Sequence, residues 1–515
     1  GDNNVALGQS ALQNNTTASD NSAVGYQALY SNTTGTDNNA QGKSALWSNS
    51  TGSQNTAMGD GAGYANTTGS YNTALGASAL NSNTTASNNT AVGYQSLYSK
   101  TTGDSNTGVG YQAGYNVITG TENVFIGQVA GYGATGSSNT GVGRAALYGT
   151  GSGSYNSAFG NGALQANTTA DNNTAVGYGA GYNNTTGANN TALGRLAMEA
   201  NTTGSLNVSV GAVALFSNTI GANNTALGYE ALRSNTTASN NTAVGFQAGY
   251  SNTIGVNLTA VGGAALYSAT TGNNNTAFGS SAGHSITTGA YNTAIGSAAM
   301  YGDTVTGSNN TAIGTNDASF NSPMRLITTA DSNVAIGNGS MSALTTGAQN
   351  TAVGRATMVQ ATTASYNTAL GFYSLYNVTV GVSNTAVGYQ AGYSSTEATH
   401  IVALGYQAAY SNTAQTVVAV GFQAGYYQTG ADPGSNVLIG TQTNYNNVSG
   451  GANTIVGHQA GYWNTATYNT YIGYGAGAQI TTGGKNTIIG KYSGNEGGLD
   501  IRTSSNNIVL SDGDG

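Results

Sequence analysis

The side chains that most often carry out chemistry are few and scattered in this sequence. Its three histidines, His284, His400 and His458, lie far apart along the chain, and it has no cysteine. Acidic residues such as Glu122 and Glu397 form no cluster either. Nucleophilic catalysis needs a base beside the nucleophile, and a metal centre needs several converging ligands. We therefore expect no catalytic residues, no metal site and no cofactor, and interpret the chain as a protein that is not an enzyme.

Charge is scarce throughout the 515 residues. Only 5% of them are charged, whereas an average globular protein has about 25%, and the net charge is −8. Ten Lys and Arg residues give too little positive charge for nucleic-acid binding. No apolar run approaches the roughly 20 residues that span a bilayer, so we expect no membrane insertion. Abundant Gly, Ser and Asn would also suit a disordered linker, but the apolar residues are placed too regularly for that.

One motif recurs along almost the whole chain, as in NNTAVGFQAGY (240–250) and SNTAVGYQAGY (383–393). Its central glycine, called here the motif glycine, recurs 29 times from Gly8 to Gly490, mostly at steps of 17 residues. Alternation in TAVG indicates a strand, SNTTG is turn composition, and 17 residues are too few for two helices. We predict an all-β parallel β-solenoid of about 29–30 coils, with NNIVLS (506–511) as a degenerate last one.

Irregular steps divide the array. We predict regular repeats over 1–314, an insertion loop over 315–336, further repeats over 337–490 with a loop near 430–436, and an irregular segment over 491–515. Proline cannot donate to a strand ladder, and the chain's two prolines, Pro323 and Pro433, both lie inside lengthened steps.

Two columns of small and apolar residues flank the strand. The residue before the motif glycine is predicted to form the core, as at Val24, Leu75, Val92, Val176, Val244 and Val387. An Ala/Gly stripe lies on the other face, as at Ala57, Gly59, Ala91, Gly93, Ala243 and Gly245. A 17-residue coil offers little chain for an opposite wall. We therefore interpret the stripe as favouring close packing of several chains about a common axis.

Asparagine and tyrosine form further columns. Asn stands four residues before most motif glycines, for example Asn89, either as a hydrogen-bonded ladder along the axis or as a turn residue. Tyrosines five residues after the motif glycine, such as Tyr115 and Tyr250, are expected to form an aromatic ladder along one edge, and Tyr94 is expected to face outward. Where Gly precedes Tyr, we expect the ring to cover the space of a missing Leu. Such a ladder either packs successive coils together or provides a surface on which sugars and receptor aromatic residues stack.

The motif NTAVGYQA resembles the head repeat of YadA-like trimeric autotransporter adhesins, which has the pattern S-V-A-I-G-x-x-A/S. Arrays of this motif also resemble those of tail-fibre and surface-fibre proteins of marine phages and bacteria. The resemblance covers nearly the whole chain and implies a left-handed β-roll in which three chains wind about one axis. The coil here is longer than in the adhesin heads. The final segment, 497–515, looks like the one that precedes a self-cleaving chaperone domain in such fibres.

Together these features lead us to expect an extracellular structural fibre or adhesin. It would act as a rigid spacer and attachment element on a virion or cell surface, with itself as partner in a homotrimer. A host-surface receptor or glycan is a further expected partner. The candidate contact residues are Tyr94, Tyr115, Tyr250, Pro323, Arg325 and Pro433.

Two alternatives remain open at this point. One is a single-chain solenoid that polymerises end to end into an extracellular filament, because unpaired strand edges template stacking. The other is ice binding through a threonine column that includes Thr33, Thr67 and Thr84. Its doubled threonines are adjacent and so would point to opposite faces, which disfavours a flat threonine surface.

Overall fold

The structure, a computed structural model, describes residues 1–316, 321–413, 416–429 and 435–512. The chain divides into two compact units, Gly1–Val256 and Asn257–Gly515. Each unit is built from short parallel strands that recur once per coil, and the described residues form no helix. The all-β parallel solenoid of about 29 turns with a 17-residue period is therefore confirmed, whereas the number of associated chains remains a prediction. Accordingly, the described part of the chain holds no helix suited to crossing a membrane.

The first unit contains fifteen strands of three residues each. They are β1 (Val5–Leu7), β2 (Ser22–Val24), β3 (Asn39–Gln41), β4 (Thr56–Met58), β5 (Thr73–Leu75), β6 (Thr90–Val92), β7 (Thr107–Val109), β8 (Val124–Ile126), β9 (Thr140–Val142), β10 (Ser157–Phe159), β11 (Thr174–Val176), β12 (Thr191–Leu193), β13 (Val208–Val210), β14 (Thr225–Leu227) and β15 (Thr242–Val244).

The second unit continues the same pattern and ends differently. Its strands are β16 (Thr259–Val261), β17 (Thr276–Phe278), β18 (Thr293–Ile295), β19 (Thr311–Ile313), β20 (Val334–Ile336), β21 (Thr351–Val353), β22 (Thr368–Leu370), β23 (Thr385–Val387), β24 (Ile401–Leu404), β25 (Val417–Val420), β26 (Asn436–Ile439), β27 (Thr454–Val456), β28 (Thr470–Ile472), β29 (Thr487–Ile489), β30 (Asn495–Glu496), β31 (Leu499–Asp500) and β32 (Ile508–Leu510).

Within each unit, every strand of the solenoid sheet pairs in parallel with the equivalent strand of the next coil. In β5 and β6, Ala74 lies opposite Ala91 and Leu75 lies opposite Val92. The register therefore equals the sequence period, and each column of the sequence becomes a straight row of neighbouring side chains. A three-residue strand has no stability alone, so the ladder of hydrogen bonds between coils holds it in place.

The interior of the coil is lined by the alanine column, not by the larger apolar column. Ala57, Ala91 and Ala243 are fully buried. The residues predicted as core are only half-buried and lie on the outer face of the sheet: Val24, Leu75, Val92, Val176, Val244 and Val387. That core assignment is wrong. The same geometry explains Gln41, which stands in the outer column and is exposed.

A narrow coil is the physical reason for this inversion. Seventeen residues do build two walls, and leucines from the second wall, such as Leu46 and Leu80, fill the space against the alanines. A Cβ placed on Gly63 would lie 2.9 Å from Leu46 Cδ2 and 3.9 Å from Ala57 Cβ. Since interiors are close-packed, the strand can turn only its small side chains inward.

The Ala/Gly stripe is likewise explained within one chain. Gly59, Gly93 and Gly245 have φ values of 138°, 127° and 136°. A Cβ on Gly93 would lie 2.5 Å from the carbonyl oxygen of Gly110 in the next coil. The small residues of the stripe thus allow successive coils of the same chain to approach closely. The inference that the stripe packs against a neighbouring chain is wrong.

In the lengthened step between Gly314 and Gly337, the chain rejoins the regular path of the solenoid coil by residue 321. β19 and β20 pair directly, with Ala312 opposite Ala335. The Pro323 carbonyl accepts a hydrogen bond from Met300 N at 3.0 Å, and Met324 takes a buried leucine-like position. The segment 321–336 is therefore part of the solenoid and not a protruding loop. Pro433 and the loop predicted around it fall largely outside the described residues.

The C-terminal segment has a different core. The buried column enlarges to Leu438, Ile455, Tyr471 and Ile488, which pack together with other apolar side chains. β30 and β31 form an antiparallel hairpin, after which β32 pairs in parallel with β29. The degenerate thirtieth coil predicted at NNIVLS is therefore present.

Candidate functional site

Asparagine ladders run through the interior of the coils. The column four residues before the motif glycine is buried, and each Oδ1 accepts the backbone N–H of the next Asn, as from Asn55 to Asn38 at 3.0 Å. Asn55 Nδ2 also donates to Asn38 Oδ1 at 3.1 Å and to the Gly69 carbonyl oxygen at 2.9 Å. Of the two sequence interpretations, the ladder is confirmed. Its role is structural, because it satisfies buried polar groups in most coils.

A second asparagine ladder was missed at the sequence level. Asn49, Asn66 and Asn83 each donate through Nδ2 to the preceding Asn Oδ1, at 2.9, 2.7 and 2.8 Å. The sequence signal for this second ladder is the recurrent Asn of SNTT, which we interpret from the sequence only as turn composition. Lys100 takes the next position, and it is fully buried with its Nζ donating to the Gly120 carbonyl oxygen at 2.8 Å. Burial lowers the pKa of Lys100 to about 8, against an opposing effect of Asp104.

Aromatic side chains form two columns on the outside of the coils. The first stands one residue after the motif glycine, and Tyr94 stacks there on Tyr111 at 5.7 Å. The second stands five residues after it, and Tyr115 lies between Tyr98 and Tyr132 at 5.1 and 5.0 Å. In the second unit this column continues through Tyr376, Tyr393, Tyr410, Tyr426, Tyr445 and Tyr462. The expected aromatic ladder is therefore present.

We expect tyrosine to cover the space left beside a glycine by a missing leucine. That expectation is wrong. A Cβ on Gly249 would lie 2.9 Å from Cδ2 of Leu232, the leucine of the preceding coil. The leucine therefore occupies that space from inside. Tyr250 stays outside, where its hydroxyl accepts a hydrogen bond from Arg233 Nη1 at 3.0 Å.

Two of the three histidines, His284 and His458, belong to the same aromatic columns. His284 stacks between Tyr267 and Tyr301 with ring centroids 5.1 Å away on both sides, and His458 stacks on Tyr474 at 5.1 Å. Burial lowers the pKa of His284, which favours its neutral form. The described residues hold no group of three or more His, Cys, Asp or Glu that would suit a metal ion.

Stacking has a consequence for ligand binding, because a ring that packs between two others has no free face. Sugars bind aromatic residues through the ring face, so the interior of a tyrosine column offers them only edges. One coil differs. Tyr178 and Tyr182 occupy the two aromatic columns of the same coil, and among the described residues neither has another ring stacked on it.

A cleft of about 340 Å³ opens at this coil. It is lined by Asn161, Gly162, Tyr178, Gly179, Tyr182, Leu196 and Glu199. Gly162 and Gly179 stand where many other coils have Gln, as at Gln27, so these two positions themselves add no side chain to the cleft. Glu199 is oriented by Asn183, whose Nδ2 lies 3.5 Å from its Oε1. Sequence reasoning missed this site, although YGAGY at 178–182 departs from the usual YQAGY.

The remaining candidate contact residues are distributed unevenly. Arg325 is exposed and accessible to a partner, whereas Pro323 is buried, so its assignment as a contact is contradicted. Pro433 lies outside the described residues. Arg325 belongs to the second unit, whereas Tyr94, Tyr115 and Tyr250 belong to the aromatic columns of the first unit and remain candidates there.

The threonine column is already used within the chain. Thr33, Thr67 and Thr84 each donate through Oγ1 to a carbonyl oxygen of the next coil, at 2.9, 2.9 and 3.1 Å. A hydroxyl that donates its hydrogen to the backbone is less available to order water, which weakens the ice-binding alternative.

The outer face of the sheet carries the most extensive apolar surface of the first unit. It alternates a column rich in Thr with the column before the motif glycine, called here the outer apolar column. The exposed members of that column are Leu7, Met58, Ile126, Phe159, Leu193 and Leu227, which are 40–66% exposed.

Comparison with known proteins adds no relative, since neither a family model nor a curated protein matches the chain.

Proposed function

We propose that this chain is a non-enzymatic structural fibre protein whose copies associate lengthwise through the outer apolar column. The fibre stands on a virion or cell surface, outside the cell, and acts there as a stiff spacer and attachment element. The preferred assembly is a homotrimer. The number three comes from the resemblance of the repeats to YadA-like adhesin heads, and the association itself is supported by the following observation.

The supporting observation is a row of apolar side chains that are not fully buried, one per coil from Met58 on β4 to Val244 on β15, interrupted before it only by Gln41 on β3. Leu75, Val92 and Val109 are adjacent members of this row on β5, β6 and β7. Soluble monomers seldom leave apolar patches of more than a few hundred Å² uncovered, and larger ones mark association sites. A row that extends from β4 to β15 exceeds that scale.

Periodicity supports another copy of the same chain as the partner. Parallel pairing places each member of the outer apolar column one strand spacing, about 4.8 Å, from the next. A surface complementary to the whole row must repeat at the same distance. A second copy has the same spacing, because its coils are identical. Closed symmetry then buries the same column on every subunit.

The solution mass of the full chain tests this proposal. We expect sedimentation equilibrium to give roughly three times 51.2 kDa, independent of concentration over the micromolar range. A mass of one chain at all concentrations would overturn lengthwise association, and an open-ended series of masses would favour the end-to-end filament.

Matched variants locate the interface. The double variant Leu75→Lys, Val92→Lys places two charges in the outer apolar column, and we expect it to shift the mass to that of one chain. The control Thr85→Lys changes an exposed turn residue of the same region and should leave the mass unchanged. Equal masses for all three proteins would show that this column is not the interface.

A further inference from the structure

We propose that the cleft at Tyr178 and Tyr182 is a binding site for a neutral pyranose sugar. The inference rests on the proposed attachment role and gives its ligand a chemical class. It is carried by an interruption in the regular columns, because both aromatic columns of this coil hold a ring without a stacked ring neighbour and a cleft opens between them.

The first argument is the availability of ring faces. In the column of Tyr178, the neighbouring coils place Asn161 before it and Arg195 after it. In the column of Tyr182, they place Gln165 and Glu199. Neither ring therefore has the aromatic neighbour that covers Tyr115 on both sides, and Tyr178 is 58% exposed. The C–H faces of a pyranose pack on such free rings.

The second argument is the floor of the cleft. Gly162 and Gly179 have φ values of 67° and 62°, the conformation that other coils give to Gln or Ser at this position. Without side chains here, Tyr182 lies over Gly162, since a Cβ on that glycine would be 3.3 Å from its ring carbons. At Gly179 the Cβ position lies 2.8 Å from Cδ2 of Leu196. The floor of the cleft is therefore formed by the Tyr182 ring and the end of the Leu196 side chain, an apolar base on which a sugar face can pack.

The third argument is the polar rim. Asn161 and Glu199 line the cleft, and the Oε1 atom of Gln165 lies 3.2 Å from the Cβ position of Gly162. Amide and carboxylate groups accept and donate in the plane, which suits pairs of sugar hydroxyls. Glu199 carries a negative charge and Arg195, one coil beside Tyr178, a positive one. Opposite charges beside one cleft favour a neutral ligand over a cation.

Saturation-transfer NMR on the full chain tests the proposal. The probes are the methyl glycosides of glucose, galactose, mannose and N-acetylglucosamine, with tetramethylammonium as a cationic probe. We expect saturation transfer to at least one glycoside at millimolar concentration, reduced at least five-fold in Tyr178→Ala and in Tyr182→Ala. Tyr26→Ala is the control, because Tyr26 stands in the same column as Tyr178 and is 45% exposed but lines no part of this cleft.

A filling variant guards against loss of folding. Gly179→Gln installs the residue that Gln27 and Gln112 carry at the same position with φ values of 56° and 51°. The added Cβ would lie 2.8 Å from Cδ2 of Leu196, the end of a flexible side chain that can turn aside. Circular dichroism checks that the variant folds, and we expect it to abolish saturation transfer. The proposal is overturned if no glycoside responds, if only tetramethylammonium responds, or if the response survives Gly179→Gln.

The assembly and the sugar site fail separately in these experiments. A protein of one-chain mass that binds a glycoside overturns only the trimer. A trimer that binds none of the four glycosides overturns only the sugar site.

Discussion

Asn106 donates twice to the side-chain oxygen of Asn89, from its backbone N–H at 2.9 Å and from Nδ2 at 3.1 Å. Both residues are fully buried. One oxygen therefore satisfies two donors of the next coil, and the same arrangement recurs along the chain. The asparagine column provides the polar pairing that an apolar side chain of equal size would leave unmade.

Replacing Asn89 by alanine should destabilise the protein by about 1–3 kcal/mol, because the buried backbone N–H of Asn106 loses its acceptor. Asn106 Nδ2 loses one acceptor but still donates to the carbonyl oxygens of Asp104 and Gly120, at 2.9 and 3.0 Å. Denaturant unfolding monitored by circular dichroism measures this change. Thr85→Ala, an exposed position nearby, should change the free energy of unfolding by less than about 0.5 kcal/mol. Equal effects of the two substitutions would contradict a stabilising role for the ladder.

Gly93→Ala should be among the most disruptive single substitutions. Its φ is 127°, and the added Cβ would lie 2.5 Å from the Gly110 carbonyl oxygen, so both the conformation and the spacing between coils oppose it. We expect a loss of about 3 kcal/mol or more. Gly263→Ala is the control, since a Cβ there would have no atom within 4 Å. A neutral Gly93→Ala would refute the close-packing explanation of the motif glycine.

Lys100→Asn should stabilise the protein at pH 7 by about 2 kcal/mol. It replaces a buried lysine with the residue of the second ladder, and it offers a donor to Asn83 Oδ1, which has no partner among the described residues. Thermal unfolding with and without the substitution measures the gain. A lower melting temperature for Lys100→Asn would contradict this account of the column.

The same lysine predicts a pH dependence. Burial lowers the pKa of Lys100 from 10.5 to about 8. Between these pH values the unfolded chain holds a proton that the folded chain has released, so the contribution of Lys100 to stability rises with pH. The difference in stability between wild type and Lys100→Asn should therefore shrink from pH 7 to pH 10. A constant difference would show that Lys100 does not titrate in this window.

Tyr471→Phe should raise stability by about 1 kcal/mol, because the Tyr471 hydroxyl is buried and, in the described part of the chain, has no hydrogen-bond partner. The nearby Asn486 amide donates instead to the Ser504 carbonyl oxygen at 2.9 Å. Burial also raises the pKa of Tyr471. The folded state then resists ionisation, so wild-type stability should fall above pH 10, and Tyr471→Phe should reduce that fall.

Unfolding at pH 8 and pH 11 measures both effects of Tyr471→Phe. Tyr468→Phe is the matched control, because Tyr468 is 63% exposed and its hydroxyl meets solvent. An equal response of the two variants at both pH values would contradict the assignment to burial.

The sequence by itself determined the period, the strand in each coil, the parallel register and the position of the first asparagine column. These follow from spacing alone, because identical residues at a constant interval must become neighbours when coils stack. It also located the column of Tyr115, although it assigned the wrong occupant to the space beside Gly63.

Only the tertiary structure decided which face of the strand lies inside. Alternation shows that Ala91 and Val92 point to opposite sides, but it does not say which side is the interior. Size suggested Val92, yet the width of a 17-residue coil, already filled by leucines such as Leu80 and Leu97, leaves room only for Ala91. The cleft at Tyr178 and Tyr182 was hidden for the same reason. It arises where neighbouring coils lack a ring and a side chain, which becomes visible only when residues 17 apart are placed side by side.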